Sequence, residues 1–93
     1  MIVSWGNGAT RRFAESGKAR AFGGLDTDLA LEQLAMLNAA SGLADLSPLR
    51  GAGLHKLKGK LHSYWALSIN GPWRLCFRFR SGNAHDVIIL DYH

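Results

Sequence analysis

Residues able to transfer protons and to stabilise negative charge are concentrated between positions 55 and 93. Cleavage of RNA without a metal uses the neighbouring 2′-hydroxyl as nucleophile. It needs a general base, a general acid for the departing 5′-oxygen and cations for the developing negative charge. Residues of suitable type are His55, Lys56, Lys58, Lys60, His62, Arg74, Asp91, Tyr92 and His93. This part of the chain therefore contains the side chains that such a reaction requires.

Positive charge is also unevenly divided along the chain. Residues 1–49 carry four Lys/Arg and five Asp/Glu, whereas residues 50–93 carry seven and two. A basic cluster of this size attracts polyphosphates, and neutralisation of phosphates dominates affinity for nucleic acids. A solvated face that keeps the protein in solution would have the same composition, so charge alone favours neither interpretation. The members of the cluster are Arg50, Lys56, Lys58, Lys60, Arg74, Arg78 and Arg80.

The last three residues form a potential acid–base group. On a final strand, Asp91 and His93 would project to one side and Tyr92 to the other. A carboxylate beside an imidazole can orient it and adjust its pKa towards neutrality. An ordinary polar C-terminus could have the same sequence. These three residues therefore indicate catalysis only in combination with other catalytic candidates.

The remaining catalytic candidates each have a plainer explanation. His55 and Lys58 are three residues apart, so their joint use needs a turn or bulge, which Gly59 makes feasible. Without one, His55 is a surface or structural histidine and Lys58 part of a solvated edge. Arg74 would project from a strand beside buried Trp73, where a guanidinium can hold a phosphate bidentately; otherwise it pairs with nearby carboxylates.

Metal and disulfide chemistry are not expected from this sequence. The single cysteine, Cys76, cannot form an internal disulfide or a Cys-rich zinc site. None of the four histidines has the HxxxH or HExxH spacing that places two ligands on one helical face. We therefore expect neither a metal nor a cofactor.

Length and hydropathy limit the architecture. Ninety-three residues suffice for one compact domain, which we expect to span 1–93. The longest apolar stretches, 87–90 and the interrupted run 73–79, are far shorter than the roughly 20 residues of a membrane-spanning helix. The first residues lack the pattern of an export signal. A cytoplasmic protein is the expectation.

The N-terminal half is predicted to be one strand followed by two helices. Residues 1–5 form the strand, and Thr10 caps a short helix that ends before Gly17. The second helix starts at one of residues 26–28 and ends near 41–42, with an apolar stripe. That stripe is Ala30, Leu31, Leu34, Leu37 and Asn38. Residues 43–53 are predicted to be a surface connection with at most a short turn.

From Leu54 onwards the pattern has a period of two. In 73–80, alternate residues from Trp73 are apolar and the others include three arginines, which predicts a half-buried strand with a basic outer face. Residues 62–69 alternate more weakly, with Trp65, Leu67 and Ile69 on one side. A longer hairpin loop is predicted at 70–72 and a turn at 81–83, before a final strand over 86–92. The result is an α+β fold, in which helices cover one face of a three- to four-stranded antiparallel sheet.

Several runs together resemble the HigB toxins of the RelE-like superfamily, also called plasmid maintenance system killer proteins. They are 54–59 (LHKLKG), 63–65 (SYW), 68–69 (SI), 73–77 (WRLCF) and the terminal 91–93 (DYH), joined by 2–5 (IVSW) and 34–40 (LAMLNAA). The resemblance covers essentially the whole chain. The joint occurrence of the WR-x-x-F and DYH motifs is more specific than either motif alone.

The resemblance implies a RelE-like ribonuclease fold and an endoribonuclease that cuts messenger RNA in the ribosomal A site and so inhibits translation. It also implies a HigA-type helix-turn-helix antitoxin, which neutralises the toxin and binds operator DNA. Catalytic or transition-state roles would belong to His55, Lys58, Arg74, Asp91 and His93. Tyr92 would lie close to the substrate, and the surrounding cations Lys56, Lys60, Arg78 and Arg80 would bind it.

A non-catalytic module is the alternative. The same basic surface could hold RNA or an acidic partner without cutting, as a degenerate toxin would. A toxin that had lost its activity could have lost some of the five catalytic candidates without consequence, yet all five are present. Their joint presence favours the enzyme.

Overall fold

A computed structural model describes residues 1–91, apart from the side chains at positions 50–52 and 61. The elements are α1 (Gly8–Ser16), α2 (Thr27–Ala39), a 3-10 helix (Leu43–Ala52), β1 (His55–Lys56), a 3-10 turn (Gly59–Leu61), β2 (Trp65–Ser68), β3 (Trp73–Arg80) and β4 (Asn83–Asp91). The strands form one antiparallel sheet in the order β1-β2-β3-β4. The α+β arrangement predicted from the sequence is confirmed.

The main core lies between the helices and one face of the sheet. Leu67 of β2 and Leu75 and Phe77 of β3 are fully buried there, against Phe13 of α1 and Leu37 of α2. The period-two pattern therefore predicted the helix-facing side of the sheet correctly. Trp65 and Ile69 lie on the same side, as expected.

The N-terminal segment follows the free edge of β4. It forms two isolated parallel bridges, Ile2 with Ala84 and Trp5 with Val87. The predicted strand is therefore present only as two bridges. Between them, the β3–β4 register shifts and Asp86 adopts a positive φ of 53°. The Ser4 hydroxyl accepts a hydrogen bond from the Asp86 backbone N–H at 2.8 Å.

The start of α1 differs from the prediction. Asn7, not Thr10, is the N-cap, and its side chain accepts from the Thr10 backbone N–H at 2.9 Å. Thr10 is fully buried instead, and its hydroxyl accepts from the Ile89 backbone N–H at 3.0 Å. The hydroxyl thus replaces a strand partner for β4 where the N-terminal segment has ended. Gly17 ends α1 in the left-handed conformation, as predicted.

The second helix is close to its prediction. Asp26 caps α2 by accepting from the Leu29 backbone N–H. Of the predicted stripe, the residues at 30, 34 and 37 are buried, whereas Asn38 is exposed and accepts from the Ile2 backbone N–H. Gln33 is buried although it is polar, because its amide donates to the Ser68 carbonyl at 2.9 Å.

The predicted surface connection after α2 is wrong. Residues 43–52 form a 3-10 helix, and it buries Leu46 completely and Leu49 almost completely. Glycine and proline suggested a loop, but the two leucines are three apart, which is one turn of a 3-10 helix. The segment therefore closes one side of the core.

The first hairpin has the longer loop that was predicted, whereas the second turn is shorter than predicted, so β4 starts earlier. At the first, Trp73 N–H donates to the Asn70 carbonyl and Ile69 N–H to the Trp73 carbonyl. At the second hairpin, Ser81 and Gly82 both have a positive φ, which is typical of a two-residue turn. Strand β4 therefore already begins at Asn83. Among the described residues, no helix is long and apolar enough to cross a membrane.

We expect Thr10→Val to lower the free energy of unfolding by about 1–3 kcal/mol, because the buried Ile89 N–H would lose its acceptor while the side-chain volume hardly changes. Thr10→Ser, which retains the hydroxyl, is the control and should lose less. Urea unfolding monitored by tryptophan fluorescence measures both. Equal stability of Thr10→Val and the parent protein would show that this hydrogen bond contributes nothing.

Candidate functional site

The sheet register defines the face that is turned away from the helices. One row of register partners crosses all four strands, and partners in register have side chains on the same face. This row consists of His55, Ala66, Cys76 and Ile88. Ser68, Arg74 and Leu90 form the next row along it. We call this surface the outer face. It brings together His55 and Arg74, two of the five catalytic candidates.

The centre of the outer face is apolar, not wholly basic as the alternation of arginines suggested. Leu57, Ala66 and Cys76 are buried there, with Tyr64, Ile88 and Leu90 packed against them. Beyond β1 the antiparallel pairing with the chain before β2 continues for one more residue, since Leu57 N–H donates to the Tyr64 carbonyl. The cations consequently surround a small second core.

Cys76 is a structural thiol. Burial raises its pKa from an ordinary value of 9.0 to about 11, and the positive charge of Arg74 opposes this only in part. At neutral pH the thiol is therefore protonated and a poor nucleophile. It packs the second core and takes no part in acid–base chemistry.

Arg74 is held at the hairpin end of the outer face. Its Nη1 donates to the Gly71 carbonyl at 2.9 Å and to the Trp73 carbonyl at 3.0 Å. The side chain is half-buried. Two backbone acceptors on a rigid hairpin fix the guanidinium before any substrate arrives, which suits stabilisation of a transient negative charge.

His55 is exposed, yet its ring is oriented. Nδ1 lies 2.6 Å from the Gly53 carbonyl oxygen. Because a carbonyl oxygen only accepts, this contact places a proton on Nδ1 and leaves Nε2 to take or give a proton. From strand spacing, the Cα atoms of His55 and Arg74 are about 12 Å apart, since the two residues lie two strands and two positions apart on the same face.

The three lysines after His55 do not share one surface. Lys56 pairs with Trp65, so it projects to the opposite side of the sheet from His55. Lys58 directly precedes the 3-10 turn, in which Gly59 has a φ of 73° and Lys60 is exposed. This turn follows Lys58 and does not lie between Lys58 and His55, so the joint use of the two residues stays a prediction.

Arg78 and Arg80 lie in different surroundings from Arg74. Arg78 Nε is 3.4 Å from Asp86 Oδ2, and its guanidinium lies over the Tyr64 ring at 5.9 Å. Arg80 is exposed at the far end of β3. Arg78 is thus already engaged within the protein, whereas Arg80 projects into solvent.

Asp91 lies at the end of the sheet. Its register partner is Trp73, so it points to the helix-facing side, one residue away from the row that contains Arg74. It is exposed and takes part in an interaction. Tyr92 and His93 lie outside the described residues, and their assignment stays a prediction.

Sequence reasoning missed three polar residues around the outer face. Ser68 is the register partner of Arg74, and a Cβ at Gly53 would lie 3.4 Å from its hydroxyl. Tyr64 and Asp86 both engage Arg78. The location of Ser68 on the outer face was predictable, because Ser68 is two residues from Ala66 on a predicted strand. The location of Asp86 was not predictable, since Asp86 lies at a register shift.

A metal site is not found in the part of the chain that is described. Residues 1–91 contain no group of three or more His, Cys, Asp or Glu side chains that could hold an ion. The outer face carries the imidazole of His55, the imidazole of His85 opposite Arg78, and several cations, which suit proton transfer and anion stabilisation.

Two comparisons relate the chain to known proteins. A family model described as the RelE-like toxin of the type II toxin–antitoxin system HigB matches residues 5–93. Endoribonuclease HigB of Proteus vulgaris is 28% identical over 93 residues, which is the full length of both chains. Similarity along the whole length means that no part of the described fold falls outside the comparison.

We expect Cys76 to react with a disulfide reagent such as DTNB at least about tenfold more slowly in the folded protein than after unfolding, because the thiol is fully buried and burial also raises its pKa, which lowers the population of thiolate. Absorbance at neutral to mildly alkaline pH measures both rates. Equal rates would show that the second core is open to solvent.

Proposed function

This chain belongs to the family of HigB-like, RelE-like toxins of type II toxin–antitoxin systems, and from that premise we propose that it is a ribosome-dependent endoribonuclease. Its substrate would be messenger RNA in the ribosomal A site, and its effect would be to inhibit translation in the cytoplasm. The name of the Proteus vulgaris relative supports RNA cleavage. The observation that carries the proposal is the oriented pair of His55 and Arg74 on the outer face.

The mechanism assigns proton transfer to the histidines. A general base removes the proton from the 2′-hydroxyl as its oxygen attacks phosphorus, and a general acid protonates the departing 5′-oxygen, which leaves a cyclic 2′,3′-phosphate. We assign these two roles to His55 and His93 and propose that Asp91 orients His93, although the register turns the Asp91 side chain to the helix-facing side of the sheet, opposite His55. For His55 the active nitrogen is Nε2, because Nδ1 faces the Gly53 carbonyl.

The cations divide into stabilising and binding groups. Arg74 and Lys58 stabilise the negative charge that develops on phosphorus oxygens. Arg80, Lys56 and Lys60 attract the RNA backbone, and Tyr92 lies near the substrate. Arg78 contributes positive charge too, but its contacts with Asp86 and Tyr64 make it chiefly a structural residue.

A protein partner completes the proposal. Family membership implies an antitoxin, and we propose a HigA-type helix-turn-helix protein that neutralises the toxin and links it to operator DNA. Induced expression with and without the neighbouring small open reading frame tests this pairing. Growth arrest that only the neighbour relieves, with new transcript ends inside codons, is the expected result. Unimpaired growth without the neighbour would contradict the toxin assignment.

We expect Arg74→Ala to reduce the single-turnover cleavage rate on programmed ribosomes by about 10²–10³-fold, as loss of a preorganised electrostatic donor does. Arg80→Ala is the matched control on the same strand and face, and it should change mainly affinity and its salt dependence. The rates are compared at saturating ribosome concentration. If Arg74→Ala then cleaves like the parent protein, the assignment of Arg74 as a catalytic residue is wrong and Arg74 serves at most in docking.

Cleavage should need no transition-metal ion, because histidines and cations supply every step of the proposed mechanism. A chelator selective for transition metals, in buffer that keeps ribosomal magnesium, should leave the rate within about twofold of the untreated rate. The cleavage assay on programmed ribosomes provides the measurement. Loss of activity that one added metal restores would refute the acid–base mechanism.

A further inference from the structure

Ser68 lies between the two oriented groups of the outer face. It is the register partner of Arg74 on β3, and it follows Ala66, the register partner of His55, by two residues. Direct partners in an antiparallel sheet have Cβ atoms about 4.5–5.5 Å apart, and diagonal neighbours are about 7–8 Å apart. Ser68 is therefore one strand away from both His55 and Arg74, which are themselves two strands apart.

The Ser68 hydroxyl is left uncovered on the side of β1 by a glycine. A Cβ at Gly53 would lie 3.4 Å from the Ser68 hydroxyl oxygen, so a larger side chain there would place its atoms against the hydroxyl. Gly53 has a φ of 82°, in the left-handed region that favours glycine. Since Ser68 itself is only half-buried, a bound molecule can reach its hydroxyl.

The backbone that carries this hydroxyl is fixed. The Ser68 carbonyl accepts a hydrogen bond at 2.9 Å from the side-chain amide of Gln33, which is buried in α2. Ser68 also belongs to the ladder between β2 and β3. Among the described contacts, by contrast, the Ser68 hydroxyl has no hydrogen-bond partner. It is therefore a donor that is positioned before a substrate arrives.

We propose that Ser68 is a further catalytic residue, whose hydroxyl donates a hydrogen bond to a nonbridging oxygen of the scissile phosphate beside the Arg74 guanidinium. The inference rests on the proposed function. RNA that meets Arg74 with its phosphate oxygens and His55 with a neighbouring 2′- or 5′-oxygen has to span the interval between them, and Ser68 occupies that interval. Because negative charge on the phosphate oxygens grows as the 2′-oxygen attacks, this hydrogen bond strengthens in the transition state.

Single-turnover cleavage at saturating concentrations of programmed ribosomes tests Ser68→Ala. We expect the rate to fall about tenfold, as loss of one neutral hydrogen bond produces. The salt dependence of ribosome binding should not change, because no charge is removed. Ser68→Thr retains the hydroxyl on a residue that strands accept, so its rate should stay within about threefold of the parent rate. Ser47→Ala is the matched control, since Ser47 is an exposed serine of the 3-10 helix.

A parental cleavage rate for Ser68→Ala overturns the proposal. This failure is distinguishable from failure of the proposed function, because the parent protein would still cut messenger RNA on ribosomes. A parent protein that does not cut there refutes both. Thermal unfolding of Ser68→Ala, which should match the parent because the hydroxyl has no partner among the described contacts, separates lost chemistry from lost structure.

Messenger RNA with sulfur in place of one nonbridging oxygen at the cleavage site identifies the atom that Ser68 contacts. Sulfur is a weak hydrogen-bond acceptor, so one of the two diastereomers should slow the parent protein more strongly than it slows Ser68→Ala. The change is made in the RNA, and a folding defect of the variant therefore cannot produce this difference. Equal slowing of the two proteins by both diastereomers would refute the contact.

Discussion

One side chain, Asn70, joins the parts of the protein on which function depends. Its amide donates to the Gly24 carbonyl at 2.8 Å and accepts from the Asp26 backbone N–H at 2.7 Å. Asp26 is the N-cap of α2, so this contact fixes the start of that helix against the β2–β3 hairpin. The same hairpin supplies the Gly71 carbonyl that holds Arg74. Loss of the contact would loosen both the start of α2 and the hairpin that holds Arg74 on the outer face.

The sheet was predictable from the sequence because alternation is a local property. β3 shows four apolar residues on one side, and burial of its helix-facing side requires that register. The 3-10 helix at 43–52 was not predictable, because its glycine and proline content resembles a loop, and only its packing against the core shows that Leu46 is buried. Thr10 was misassigned for a similar reason: its partner, Ile89, is remote in sequence.

The candidate site was predictable in part. Alternation placed Arg74 on the outer face, and the register brings His55 to the same face, although the two are far apart in the chain. Alternation did not reveal that Cys76 would be buried, since burial depends on how the chain folds back after β1. Nor did it show that Lys56 faces the other side, because β1 contains only two residues. The roles of the last residues depend on the family resemblance.

The register shift in β4 explains why arginines of one strand face have different roles. Asp86 takes a left-handed conformation there, and its carboxylate lies beside Arg78 while its N–H donates to Ser4. Arg78 therefore links β3 to the N-terminal segment across β4. Arg74 lies near the start of β3, where its partners are the hairpin carbonyls of Gly71 and Trp73. Among the described contacts, no carboxylate pairs with its guanidinium. The register shift beside Arg78 thus gives one cation a structural partner, and the hairpin at the start of β3 holds a second cation, Arg74, in the position that the proposed mechanism requires.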